Sequence, residues 1–131
     1  MDGGIDAEYR TYFGVQIEQD VQVAISRRSE GLLPVGTGIV VRTGHQLIPY
    51  LIVVPTMAMP EMVESRNCYR AMRAVLRILT NYPEIGNEVY CPGLGTGVGY
   101  VPLEIAAAEM AKAYEDWKQS NLDGSTVGVI L

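Results

Sequence analysis

Positive charge is scarce in this chain. Ten lysines and arginines face fifteen aspartates and glutamates, which leaves a net charge of -5 at pH 7 over 131 residues. Proteins that bind DNA or RNA draw most of their affinity from basic groups on phosphates, so this balance excludes nucleic acid as the main partner. Histidine is scarcer still. His45 stands alone and reads as part of a surface turn, because neither a second histidine nor a cysteine cluster accompanies it; no metal site and no cofactor is expected. Two cysteines, Cys68 and Cys91, do not make a disulfide framework. Long apolar runs are missing as well: the longest, near Leu51 to Pro55, falls far short of the roughly 20 residues that cross a bilayer. The opening MDGGIDAEYR has neither the basic nor the apolar block of a secretory signal. A protein of the cytoplasm with no membrane partner is the expectation.

What remains describes one globular domain. Nearly half the residues are hydrophobic (48%), enough for a real core in a chain of this length. Between residues 5 and 28, Ile5, Tyr9, Phe13, Ile17, Val21 and Ala24 recur at steps of four and three, the stripe of one helical face. After GLLP and Gly36, TGIVVRT (37–43) and PYLIVVP (49–55) read as short strands rich in branched residues. A second helix is expected over 64–81, with Tyr69, Met72, Val75, Leu76 and Leu79 turned inward. Arg66, Arg70, Arg73 and Arg77 run opposite, at the spacing of a solvated face. A third strand over 88–92 and a helix over 102–119 complete the order, with Leu103, Ala106, Met110, Ala113 and Trp117 facing inward. Helices alternating with strands in this way indicate an α/β fold, a three-layer α/β/α sandwich. The domain spans 1–119, and the tail 120–131 carries a possible added strand in STVGVIL.

Between the third strand and the last helix lies CPGLGTGVGYVP, with glycine at 93, 95, 97 and 99. Open α/β sheets bind ligands at such strand-to-helix loops. Glycine lets backbone amides approach an anion closely, and the following helix N-terminus adds positive potential, so the expected occupant is a diphosphate. The spacing is neither a Walker A loop nor the GxGxxG dinucleotide register. A tight turn with close helix packing would also use such glycines.

Met1-Asp2-Gly3-Gly4-Ile5-Asp6 entering a helix, the strand pair in PVGTGIVVRTGH and PYLIVVPTM, and Gly95-Thr96-Gly97-Val98 before Pro102 occur in an order that resembles the macro domain family, of the ADP-ribose-binding, Appr-1-p processing type. The resemblance runs to about Trp117. It implies that Gly3, Gly4, Ile5 and Asp6 lie beside the distal ribose and that Gly93, Leu94, Gly95, Thr96, Gly97, Val98, Gly99 and Tyr100 wrap the diphosphate. It also implies a hydrolase role for Asp6, which would orient or activate a water against an ADP-ribosyl or 1″-phosphate bond. A plain first-turn carboxylate stabilising its helix is the competing reading of Asp6.

Two departures from the family pattern stand out. The N-terminal strands with their adenine-contacting aspartate and the Asn-Ala-x-Asn segment do not precede Asp2, so a truncated mixed sheet is expected. The aromatic residue that covers the distal ribose aligns with Gly99, and Tyr100 follows one place later. The implied partner is an ADP-ribose-like small molecule or an ADP-ribosylated protein. The alternative is a degenerate macro scaffold that serves protein interaction without a ligand. A sheet with an uncovered edge also leads to the expectation of a homo-oligomer. Cys91 is expected to be a buried small residue and Cys68 a packing residue. Met57, Met59 and Met62 form an apolar patch in a loop and read as core filler, with a border to the ligand as the competing reading.

Overall fold

A computed structural model describes residues 4–28, 31–57, 63–86, 88–97 and 99–122. Helices α1 (Gly4–Phe13) and α2 (Gln16–Ser26) precede strands β1 (Ile39–Arg42) and β2 (Tyr50–Val53); α3 (Arg66–Asn81), a short 3-10 turn at Pro83–Ile85 and α4 (Leu103–Leu122) follow. The single helix expected over 5–28 is broken. Gly14 takes φ +94 and donates its N–H to the Arg10 carbonyl at 2.9 Å, which closes α1 with a left-handed residue. The break leaves the apolar stripe intact, because Phe13 and Ile17 flank it and both pack on the same core. Across the break, Arg10 Nη1 pairs with Glu18 Oε2 at 3.3 Å.

β1 and β2 pair antiparallel, with Ile39 opposite Val53 and Val41 opposite Leu51. Those four residues share one face of the ribbon, and α2 covers it through Ile17 and Val21, both almost fully buried. The outer edge of β2 has no strand partner among the described residues. Residues 88–92, expected as a third strand, run as irregular exposed backbone from Glu88 to Cys91. The tail 125–131 lies outside the described residues, and α4 continues to Leu122, past the expected boundary at 119.

α3 and α4 pack together through small side chains. Cys68, Ala71, Ala74, Ala106 and Ala113 are all fully buried, and small side chains of this kind let two helices approach closely. Two polar clamps fix their register: Tyr69 donates to Asp116 Oδ2 at 2.6 Å, and Trp117 Nε1 donates to Thr80 Oγ1 at 2.8 Å. Leu103, expected inside, is exposed at the start of α4. Among the described residues, no helix is long and apolar enough to cross a membrane.

The arginine face of α3 is not simply solvated. Arg66 is exposed and pairs with Glu64 at 2.8 Å. Arg70 and Arg77 instead reach back to the turn before β1, donating to the carbonyls of Val35 at 3.0 Å and Gly36 at 3.2 Å. Arg73 and Arg77 are half-buried there. Periodicity identified the face, but a guanidinium on a long stem also reaches any carbonyl that a neighbouring turn presents.

Candidate functional site

The glycine loop folds around its own carbonyls. Thr96 donates to the Gly93 carbonyl through both its N–H, at 3.3 Å, and its hydroxyl, at 2.7 Å. Tyr100 N–H reaches the Gly97 carbonyl, and Val101 N–H the Gly95 carbonyl, each at 3.0 Å. Two outside contacts tie the loop to the body of the protein. Val63 N–H donates to the Gly99 carbonyl at 3.0 Å, and the Cys68 thiol donates to the Leu94 carbonyl at 3.0 Å. The N–H groups of Gly95 and Gly97 find no acceptor among the described residues. Backbone amides left over in a glycine loop before a helix are the donors that an anion takes.

The glycines do different jobs. Gly95 takes φ +76, and a Cβ there would come within 3.1 Å of Cys68 Sγ. At Gly99 a Cβ would sit 2.6 Å from Val63 Cγ2 and 2.7 Å from the Gly95 carbonyl oxygen, so packing alone demands glycine. Gly97 has neither reason: nothing lies within 4 Å of its Cβ position. Tyr100, exposed and at φ 60, is the one non-glycine residue in the left-handed region among those described. Such backbone strain gathers at ligand sites.

Beside the loop runs a cleft of about 1320 Å³. Tyr9 and Phe13 from α1, Ile52 from β2, Met57 and Leu79 give it a mostly apolar lining, and Gly93, Leu94, Gly95, Thr96, Gly97 and Gly99 complete it. An apolar cleft with a few convergent backbone donors is the usual form of a small-molecule site. The expected loop residues Gly93 to Gly97 and Gly99 line it together, whereas Tyr100, exposed beside them, does not. Val98 and Gly3 lie outside the described residues, as do Met59 and Met62. Gly4, Ile5 and Asp6 form the first turn of α1, with the side chains of Ile5 and Asp6 outside the description.

Cys91 is exposed at the cleft, not buried as expected. Partial desolvation pushes its thiol up, away from the thiolate that a reactive cysteine needs. Burial likewise pushes the Cys68 thiol up, and the charge of Glu109 adds to the effect. His45 accepts at Nδ1 from the N–H groups of Leu47, at 3.1 Å, and Ile48, at 3.2 Å, and its ring lies against Tyr12. It is a turn residue, and no cluster of metal-ligating side chains forms among the described residues.

Sequence reasoning missed Tyr9 and Phe13 as cleft residues. Their four-residue step marked them as core, and only the pairing of α2 with the sheet shows that α1 flanks an opening.

A family model for the Macro domain matches residues 1–110. The chain belongs to the macro domain family. An uncharacterized protein of Aquifex aeolicus (strain VF5) is 32% identical to this macro domain over 124 residues, which cover 94% of this chain and 70% of the relative. No solved structure matches this macro domain. Macro domains generally bind ADP-ribose and related ligands.

Proposed function

We propose that this chain binds ADP-ribose or a related nucleotide diphosphate in the cleft, with the diphosphate against Gly95 to Tyr100 and the nucleoside on the apolar wall formed with Tyr9 and Phe13. The observation that carries this reading is Gly97. Its glycine has no packing explanation, its N–H has no acceptor among the described residues, and it borders the cleft. A ligand that meets the backbone there accounts for both.

Asp6 on the first turn of α1 takes the role of the residue that orients a water if an ADP-ribosyl or 1″-phosphate bond is hydrolysed. The finer architecture belongs to the same reading: a three-layer α/β/α sandwich in a cytoplasmic protein, with the free edge of β2 covered by a second copy of the chain.

Isothermal titration tests the binding. Micromolar affinity for ADP-ribose, none for adenosine, and loss of the signal in a folded Gly97→Val protein would support the placement. Unchanged affinity in that variant, or no heat from ADP-ribose with the folded wild type, would remove it.

A further inference from the structure

On the other side of α3 from the glycine loop, Arg70, Arg73 and Arg77 converge with Tyr69 on the turn Val35-Gly36-Thr37 and line a cleft of about 380 Å³. Three guanidiniums at steps of three and four on one helix face repel one another unless anions intervene. None of the three pairs with a carboxylate among the described residues. Asp116, on the facing helix, accepts from the Tyr69 hydroxyl instead.

Carbonyls satisfy only part of the arginine demand. Arg70 Nη2 and both Arg77 Nη atoms bind Val35 and Gly36. Arg73 Nη1 and Arg77 Nε are buried with no hydrogen-bond partner among the described residues. Buried donors are nearly always paired in native proteins, and a charged one left unpaired is the costliest kind. The turn that faces them is built for close approach, because a Cβ on Gly36 would stand 3.3 Å from Arg70 Nη2.

We propose that Arg70, Arg73 and Arg77 form a second anion site, distinct from the glycine loop, which binds the phosphate group of a small phosphorylated molecule. Arginine forks match the tetrahedral oxygens of phosphate and reach two of them at once. A net charge of -5 opposes any extended polyanion, which favours a single phosphate over nucleic acid. The cleft exceeds what one phosphate fills, and Tyr69 lines it beside the arginines, so a phosphate monoester fits better than the free ion.

The experiment follows the arginine side-chain Nε–H signals by NMR while inorganic phosphate and, separately, ribose 5-phosphate are added, with chloride at matched ionic strength as the reference. Arg73 and Arg77 should shift with both phosphates, at lower concentration for ribose 5-phosphate, and should do so equally in Gly97→Val, whose glycine loop is altered. Arg73→Gln should weaken the response by about tenfold or more, as loss of a charge-assisted hydrogen bond implies. Arg70→Gln, at an exposed position, should weaken it several-fold without threatening the fold. Shifts no larger than those with chloride, or unchanged titrations in Arg70→Gln and Arg73→Gln, would overturn the proposal. A stronger response to inorganic phosphate than to the monoester would assign the site to the free ion and overturn the monoester preference. Because the readout is local to α3, failure here leaves the reading of the ADP-ribose cleft untouched.

Discussion

The thiol of Cys68, on the first turn of α3, donates to the carbonyl of Leu94 and so holds the glycine loop against the helix. Its sulfur also fills the space that a side chain at residue 95 would need. Cys68→Ala removes a fully buried sulfur and its hydrogen bond, which should cost about 1–2 kcal/mol in urea unfolding. If the loop binds ADP-ribose, the same variant should also lose affinity, because the donors at Gly95 and Gly97 are positioned through Leu94. Unchanged stability would show that the loop holds its shape without this tie.

Alkaline pH should weaken the fold through two neighbouring groups. Burial and Glu109 raise the Cys68 thiol above 9.0, and the hydrogen bond to Asp116 raises the Tyr69 hydroxyl above 10.0. In both cases the folded state favours the protonated form, so the stability they contribute is full below the unfolded pKa and is lost as pH rises through the folded one. Urea midpoints should therefore fall from about pH 9 upward, first through Cys68 and then through Tyr69. Tyr69→Phe should flatten the later part of the fall. A midpoint that holds level through this range would contradict the burial of Cys68 and the Tyr69–Asp116 hydrogen bond.

The two thiols should also separate by reactivity. A thiol reagent should modify exposed Cys91 in the folded protein, slowly because its thiol is pushed up, while Cys68 should react only when the chain unfolds. Mass spectrometry with and without urea reads the order directly. Early modification of Cys68 would mean that α3 and the glycine loop part readily.

Sequence patterns located elements whose side chains decide their own burial. The branched runs gave β1 and β2, and the apolar stripe of α3 was correct at Val75 and Leu76. What they missed depended on partners far away in the chain. Residues 88–92 have the composition of a strand, but pairing requires a neighbour, and the side of β2 that would supply it borders the cleft. Arg70 and Arg77 looked solvated because nothing local shows that the turn at Val35 and Gly36 comes within reach. The glycine loop was legible as a site, yet its four glycines were indistinguishable until their neighbours were known.

Gly14 shows the same limit in one residue, and it can be tested. The stripe continues through it, so periodicity predicts an unbroken helix, whereas its φ of +94 ends α1. Nothing lies within 4 Å of its Cβ position, so Gly14→Ala meets no clash and pays only for the left-handed backbone. A loss of about 1–2 kcal/mol is expected in thermal unfolding. A gain in stability would mean that the chain prefers one continuous helix from Gly4 to Ser26.

Gly97 and Gly99 sit two residues apart and should respond to alanine in opposite ways. At Gly99 the new methyl meets Val63 and the Gly95 carbonyl well inside contact distance, so Gly99→Ala should cost about 1–3 kcal/mol of stability whatever the ligand. At Gly97 the methyl enters open space, so Gly97→Ala should change stability by less than about 0.5 kcal/mol. Its effect should fall on ADP-ribose binding instead, because the methyl occupies the side from which a diphosphate would approach the backbone. Stability lost at 99 and affinity lost at 97 would divide the loop into a packing half and a ligand-facing half. If Gly97→Ala binds ADP-ribose as the wild type does, the diphosphate lies elsewhere, and this glycine has no role that either packing or ligand contact explains.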